Sequence, residues 1–203
     1  MSVAIAQAAE VTLGGVGFEA TSDQVANEWY EPMSQGVTVT FEGFGTKAGH
    51  TRSITFTSGG ELDGVKTIKK HLVEKAGTEV TEDTWIAFDD QDNARVIKLE
   101  RAGRVIFNAS ASTAPPLYLP AVPTEGQSWD LAGTTVTLEQ VMPSRSGYRL
   151  KVKTVSAVGL VETHYIHAGE GLLLTQVGDD SGWKVKPPES AAPAQLPLPA
   201  PSN

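Results

Sequence analysis

Turn-forming residues recur along most of this chain at intervals too short for helices. The clearest example is the stretch 160–186, LVETHYIHAGEGLLLTQVGDDSGWKVK. Its glycine-containing clusters at 167–171 and 178–182 predict tight turns, because glycine permits positive φ while Asp and Ser hydrogen-bond their own backbone. An amphipathic helix needs apolar residues at three- and four-residue spacing over about ten positions. The stretch therefore predicts three short strands joined by two turns.

The same arrangement of short strands and turns repeats upstream. Apolar and polar residues alternate in 36–44 and in 52–57, which is the pattern of a half-buried strand. The first run carries Val37, Val39 and Phe41 on one face, and the second carries Arg52, Ile54 and Phe56. The runs 85–88 and 172–174 are apolar throughout, so they predict strands covered on both faces. The segment 65–73 fits an amphipathic helix or a strand, and its β-branched residues favour the strand.

Four segments depart from regular alternation. Residues 11–20 predict one edge strand loosened by glycines, and 22–29 is the one fair helix candidate. The segment 110–126 contains four prolines. Proline has no N–H to donate to a β-ladder, so this segment predicts an extended crossover. Near Thr154 the alternation changes phase, and a β-bulge at that point would restore it.

These patterns predict a mainly β fold with about eleven short strands and at most one short helix. The expected architecture is an antiparallel β-sandwich or a strongly curved or closed β-sheet. Residues 1–10 are expected to be a signal-peptide remnant or a disordered N-terminus. Residues 11–186 are expected to form a single all-β domain of two meanders, about 36–107 and 126–186, joined by the proline-rich crossover. The Pro/Ala-rich segment 187–203 predicts a disordered tail that could serve as a linker.

Composition excludes several classes of function. The chain has 16 Lys and Arg against 24 Asp and Glu, a net charge of -8. That balance argues against sequence-independent nucleic-acid binding and against docking on anionic membranes. No apolar run approaches the roughly 20 residues of a membrane-spanning helix. With no cysteine, thiol catalysis, disulfides and Cys-based metal sites are excluded.

The N-terminus favours export to the periplasm or the extracellular space, although a cytoplasmic location stays open. Ala6-Gln7-Ala8 has the small-x-small form of a signal-peptidase site. The apolar region before it is short and has no basic residues, so the expected signal would begin upstream of Met1. The alternative is an ordinary alanine-rich N-terminus. Fractionation of the host cell tests the expectation, and an entirely cytoplasmic protein would contradict it.

The acidic segment after the apolar run 85–88 is a weak calcium candidate. Counted from Asp89, the residues Gln91, Asn93 and Glu100 fall at positions three, five and twelve of an EF-hand loop. Ala94 replaces the glycine of position six, and the flanking segments read as strands. The competing interpretation is an acidic hairpin turn, which is the more ordinary use of Asp and Asn.

No residue is assigned a catalytic role from the sequence. His164 and His167 lie three apart on one predicted strand, so they point to opposite faces and cannot hold one metal together. No G-x-S-x-G elbow, Walker loop or dinucleotide fingerprint is present. The aromatic residues could line a ligand cavity or simply pack the core: Trp85, Tyr118, Trp129, Tyr165 and Trp183. No cofactor is expected, and the ligand-binding residues are unknown.

Three segments resemble those of poorly characterised, exported bacterial β-proteins. They are WIAFDDQDN at 85–93 followed by Val96, PPLYLP at 115–120 followed by GQSW at 126–129, and ETHY at 162–165 with GEGL at 169–172. The chain departs from the family pattern at Ala94 and at Glu170. The resemblance covers roughly residues 30–186, and it implies an exported β-domain without implying any catalytic residue.

Three functions from different classes are compatible with the sequence. The leading expectation is a non-enzymatic exported module that binds an apolar ligand or a protein partner. The second is a structural or interaction subunit of a bacterial envelope or surface assembly, which would use exposed strand edges and the tail. The third is a hydrolase whose site assembles in space around His164 or His167.

Overall fold

The described chain is almost entirely β-strand and tight turn. The structure, a computed structural model, describes residues 10–19, 36–144, 147–168 and 170–186. Within those ranges there is no α-helix, and the strands of each sheet pair antiparallel. The mainly β, antiparallel prediction is thereby confirmed. Residues 1–9, the helix candidate 22–29 and the tail 187–203 lie outside the described residues.

Fifteen strands are present in the described ranges, against about eleven predicted. The run 11–20 consists of two strands, and the predicted crossover 110–126 contains a further one. They are β1 (Glu10–Leu13), β2 (Val16–Glu19), β3 (Thr38–Phe44), β4 (Thr51–Leu62), β5 (Val65–Ala76), β6 (Thr78–Phe88), β7 (Ala94–Arg101), β8 (Arg104–Asn108), β9 (Leu117–Leu119), β10 (Ser128–Leu131), β11 (Thr134–Ser144), β12 (Gly147–Ser156), β13 (Val161–His167), β14 (Gly171–Val177) and β15 (Ser181–Val185). A 3-10 turn, Gly45–Lys47, follows β3. The ambiguous segment 65–73 lies within β5, as its β-branched residues favoured.

Thirteen of these strands form one large sheet. Strands β3 to β8 are consecutive neighbours, and so are β10 to β15. The last strand, β15, joins the two meanders because it pairs with β14 on one side and with β3 on the other. The proline-rich crossover between the meanders contributes the short strand β9, which pairs with β7. The sheet is not closed into a barrel.

The large sheet curves until strands from its two ends share one core. The most buried apolar side chains of this core come from both meanders: Ile86, Ala94, Leu119, Val136, Leu138, Leu150, Val152 and Ile166. Strands β6 and β7 are remote from β11 and β12 in the strand order, so their side chains can meet only across a concave inner face. A second inner cluster, around Phe41, Ile54, Phe56 and Trp183, adjoins the first through Phe88 and Leu172. Burial of this shared inner face holds the curvature.

A small hairpin covers part of the outer face. The sequence predicts one edge strand over 11–20, and that prediction is wrong: Gly14 and Gly15 have φ of +53° and +82° and turn the chain between β1 and β2. Leu13 and Phe18 then pack with Val65 and other residues on the outer side of the large sheet. The adjacent glycines form a turn, because positive φ is readily available to glycine.

β-bulges set which side chains face inward. The ladder between β11 and β12 slips at Glu139, not at Thr154, which pairs regularly with Val136. The predicted bulge at Thr154 is therefore wrong in position. Because of the slip, Val141 packs on the core while Met142 is 48% exposed.

The three consecutive leucines of β14, residues 172–174, were predicted to be covered on both faces of the sheet, and this is only partly so. The ladder to β13 slips between Leu172 and Leu174, so Leu173 is the extra residue and is 37% exposed. Leu172 packs in both inner clusters. The bulge therefore turns the Leu173 side chain toward solvent, although β14 is an inner strand between β13 and β15.

We expect Leu138→Ala to destabilise the protein by about 3 kcal/mol, because its side chain is fully buried and the substitution leaves a cavity. Met142→Ala on the same strand is the matched control, and we expect a change within about 0.5 kcal/mol because its side chain is exposed. Denaturant unfolding of both variants measures the difference. Equal losses would contradict the bulge at Glu139.

Candidate functional site

One end of the concave inner face carries ionisable side chains in place of apolar ones. On β4, Arg52 has the same parity as the buried Ile54 and Phe56, so it points inward. On β5, Glu74 pairs with Arg52 and Lys70 pairs with Phe56, which places both on the same inner face. Leu72, which pairs with Ile54, lies between Glu74 and Lys70 on this face, so the charged residues alternate with apolar ones.

Strand β13 supplies the opposite wall. Glu162 and His164 have the same parity as Ile166, a member of the inner core, and the ladder to β12 is regular along this stretch. His164 lies in the electrostatic field of Lys70 and Arg52, so the two walls face each other across the interior. We call Arg52, Lys70, Glu74, Glu162 and His164 the inner charged cluster.

The best-ordered part of the cluster is a stack around Trp183. The Arg52 guanidinium lies 3.6 Å from the centroid of the Trp183 ring and donates to Glu74 Oε2 at 2.9 Å. Lys47 Nζ lies 4.9 Å from the same ring and 4.0 Å from Glu74 Oε1. Gly43, which pairs with Trp183, allows this approach because a Cβ there would lie 1.9 Å from the Lys47 carbonyl oxygen. Stacking and pairing partly offset the cost of burying the arginine.

His164 is held as a neutral imidazole. Its Nε2 lies 3.2 Å from the Thr154 hydroxyl and its Nδ1 lies 3.1 Å from the Thr175 hydroxyl. Burial, together with the positive charges of Lys70 and Arg52, lowers the pKa of His164 from 6.5 to about 3. The side chain is nevertheless 19% exposed, so solvent reaches this end of the interior.

Glu162 shares that partly solvated space and is 23% exposed. Burial raises the pKa of its carboxyl, and the carboxylates of Glu74 and Glu82 add to the rise. The positive charges of Arg52 and Lys47 oppose that rise. The Glu162 carboxyl is therefore less readily ionised than an ordinary surface glutamate.

Lys70 links the charged cluster to the crossover strand. Its Nζ donates to the Tyr118 hydroxyl at 2.6 Å. Tyr118 lies on β9 and packs against the inner core. The crossover thus contributes a polar group to the interior, and one of the aromatic residues considered as cavity lining does face it.

Two buried donors of the stack have no acceptor among the residues that the structure describes. They are Arg52 Nε and Trp183 Nε1, and both are shielded from solvent. The parent residues are 8% and 2% exposed, respectively. An unsatisfied buried donor costs about 1–3 kcal/mol, and such groups are uncommon in folded proteins.

The concave face also has a small apolar pocket, which adjoins the charged cluster because Phe41 pairs with Arg52 and Phe56 with Lys70. It opens where β15 stops at Val185 and leaves a gap between β14 and β3. The lining side chains are Val39, Phe41, Ile54, Phe56, Glu170 and Leu172, with the backbone of Gly171. Its free volume holds about one water molecule.

The four calcium-candidate residues are not brought together. The Asp89 carboxylate is buried and accepts hydrogen bonds from Gln91 N, Asn93 N, Asn93 Nδ2 and, at 2.8 Å, Arg95 Nε. Glu100 lies at the other end of β7 and pairs with Lys98 at 2.6 Å. The segment therefore forms an acidic turn closed by its own N–H groups. Across the ranges that the structure covers, no group of three His, Cys, Asp or Glu could hold a metal ion.

Two further histidines, His167 and His71, bind neighbouring side chains. His167 Nδ1 lies 2.9 Å from Glu170 Oε1, and its Nε2 accepts from Arg149 Nε at 3.2 Å. His71 Nδ1 lies 2.5 Å from Asp83 Oδ1. Neither His164 nor His167 is described with a serine partner, which a hydrolytic triad would need.

Comparison with protein-family models, with curated proteins and with solved structures gave no match to this chain. The resemblance to exported β-proteins therefore stays a prediction. Within the described ranges, no helix is long and apolar enough to cross a membrane.

We expect Asp89→Asn to destabilise the protein by about 3 kcal/mol, because the buried carboxylate is paired with Arg95 and bound by several N–H groups. The Arg95 guanidinium and the N–H groups hold the pKa of Asp89 below 3.8, although burial opposes them. The contribution is therefore complete above pH 3.8 and is lost as the pH falls through the folded-state pKa.

Urea unfolding across pH 2–7 measures this dependence, with the exposed Asp90→Asn as the control. Added Ca²⁺ should leave the melting temperature unchanged. A calcium-dependent rise that Asp89→Asn abolishes would contradict the turn interpretation.

Proposed function

We propose that this protein is a non-enzymatic binding module that holds a small polar ligand at the charged end of its concave sheet. The observation that carries the proposal is the inner charged cluster, in which Arg52, Lys70 and Glu162 point inward from opposing walls. Charges buried against a core cost several kcal/mol of stability, and a well-packed apolar group there would often stabilise the fold more. Ionisable side chains in such a place favour a functional role.

The hydrogen bonding and low pKa of His164 support ligand binding without catalysis. Both nitrogens of His164 are engaged by threonine hydroxyls, and its pKa near 3 makes the imidazole a weak base at neutral pH. The cluster thus offers fixed hydrogen-bonding groups and charges. Such groups select a ligand by its polarity and shape.

A second candidate is the binding of an apolar ligand at the gap beside β15. The specific observation in its favour is the apolar pocket lined by Val39, Phe41, Ile54 and Leu172. Because this pocket holds about one water molecule, an apolar ligand would have to open it between β14 and β3. The two candidates adjoin each other on the same inner face, where Phe41 pairs with Arg52 and Phe56 with Lys70. They use different side chains, so separate substitutions can distinguish them.

Native mass spectrometry of the full chain, purified from its own host, tests both candidates. We expect an adduct that Lys70→Met removes, because that substitution deletes an inward charge. Leu172→Trp, which fills the apolar pocket, should leave the adduct in place. Lys98→Met is the matched control, since Lys98 lies on the outer face over Trp85.

Each outcome separates the candidates. An adduct removed by Leu172→Trp and retained by Lys70→Met would support the apolar site and contradict the polar one. A bare chain mass from several growth conditions would contradict both. Melting temperatures of all three variants show whether any loss reflects unfolding.

A further inference from the structure

We propose that strand β8 is a homodimer interface, at which the same strand of a second copy of this chain pairs antiparallel with it. This inference goes beyond the proposed function, because it concerns the edge of the sheet and needs none of the inner charged cluster. It follows from the position of β8 at the end of the sheet, from its exposed apolar residues and from the order of its side chains.

Strand β8 is the end strand of the large sheet on the side of the first meander. It pairs with β7, through residues 98–101 of that strand. Within the part of the chain that the structure describes, no strand pairs with its second side. Strand β9 pairs with β7 at Ala94 and Arg95, so it lies end to end with β8 and leaves that second side open. The backbone N–H and C=O groups on that side are therefore available to another strand.

The side chains of β8 suit a paired strand better than an exposed edge. Val105 is 56% exposed and Ile106 is 53% exposed. Both are β-branched residues, which are enriched in strands that pack against neighbours. Sheet edges are usually protected by lysine, by proline or by an inward-pointing charge, and the sequence RVIFN contains no lysine or proline. Its one charge, Arg104, is exposed at the beginning of the strand.

The opposite end of the sheet is protected in ways that β8 is not. Strand β10 is four residues long and carries Asp130. Strand β9 of the crossover lies beside it, and Trp129 is turned into the inner core. An exposed apolar edge is thus a property of β8 and not of both ends of this sheet, which favours a specific contact there.

A bulge in β8 sets the geometry of the contact. The ladder to β7 slips between Val105 and Phe107, so Ile106 is the extra residue. Bulges increase the local twist and interrupt regular pairing, so the contact is expected to be short and strongly twisted. Pairs of strands accommodate more twist than wide sheets do, so a second β8 can follow this edge.

The residue order of β8 is compatible with antiparallel pairing to itself. A twofold axis close to Ile106 brings Val105 near Phe107 of the second copy, and pairs of β-branched and aromatic residues stabilise cross-strand contacts. Arg104 then lies near the neutral Asn108 of the second copy. The two Arg104 residues are about 13 Å apart along the ladder, which exceeds the Debye length of about 8 Å at physiological salt. No like charges therefore lie directly opposite each other.

The charges behind β8 are largely neutralised within one chain. Lys98 pairs with Glu100 at 2.6 Å, and Arg101 pairs with Glu82 at 2.5 Å. These two pairs add no net charge beside the strand, although the whole chain carries -8. Repulsion between two acidic chains is therefore expected to oppose this contact only weakly.

Sedimentation equilibrium of the full chain tests the inference. Five paired residues form a much smaller contact than the roughly 800 Å² per partner of stable interfaces, so we expect a weak dimer with a Kd on the order of 100 µM. Ile106→Lys should weaken this dimer at least about tenfold, because an edge lysine opposes strand pairing. Val158→Lys is the matched control, since Val158 is 91% exposed in the turn between β12 and β13. It should dimerise as the unmodified protein does, and melting temperatures show that both variants fold.

The absence of cysteine from the chain allows a direct test of the pairing. Ile106→Cys introduces a single thiol close to the expected twofold axis, where facing Cα atoms about 4.5–5.5 Å apart permit a disulfide. With oxidised glutathione as the oxidant, we expect a disulfide-linked dimer to form faster than in Val158→Cys. A mixture of Arg104→Cys and Asn108→Cys should give the mixed dimer in preference to either homodimer, because antiparallel self-pairing brings these two positions together.

Each outcome supports or overturns the inference. A dimer that Ile106→Lys dissociates and Val158→Lys retains supports it. A monomer up to about 1 mM, with Ile106→Cys no faster to crosslink than Val158→Cys, overturns it, and an edge reserved for a different protein would give this result. A dimer that Ile106→Lys leaves intact has its interface elsewhere and also overturns it. None of these results depends on a ligand at the inner charged cluster, so the failure of this inference and the failure of the proposed function are distinguishable.

Discussion

The fold depends on a single sheet whose inner face is buried against itself. Ile86 on β6 and Leu138 on β11 are both fully buried, although their strands are remote in the sheet order. A flat sheet would leave both side chains in water, so the apolar inner face and the curvature stabilise each other. The hairpin of β1 and β2 extends this burial to the outer side of β5 to β7. Stability therefore resides in the apolar part of the sheet, and the charged end is held in place by it.

The buried polar groups of the charged end have only some of the hydrogen-bond and charge partners they need. This distinguishes the charged end from an ordinary structural ion pair. The Arg52 guanidinium has a carboxylate and an aromatic face, and the His164 ring has two hydroxyl partners. Yet two donors lack acceptors within the described part of the chain, and Glu162 is held where its ionised form is disfavoured. Proteins retain unsatisfied buried polar groups mainly at functional sites, because each such group lowers stability.

Alternation predicted the strands well and predicted the site poorly. The half-buried strands β3 and β4 were identified because strict alternation of apolar and polar residues is a strong signal. The hairpin at Gly14 was missed because two adjacent glycines were interpreted as a weak point within one strand. The bulge at Glu139 has no clear sequence signal, so simple alternation would place Met142 on the same face as Leu138. The sequence did contain a signal for the site: Arg52 and His164 lie on the same strand faces as apolar residues, which predicts that they point inward. Parity within one strand cannot show which strands will face each other, so the cluster required the folded structure.

The position of β15 has a consequence for how the chain reaches its fold. This strand is the last in sequence among those described, yet it lies in the middle of the sheet, between β14 and β3. The first meander can form its own hairpins as it emerges from the ribosome, but it cannot be joined to the second until residues 181–185 are available. Contacts of such long sequence separation are slow to form. Until β15 inserts, β3 and β14 present unpaired edges, so this is the stage at which the chain is most exposed to wrong strand pairing.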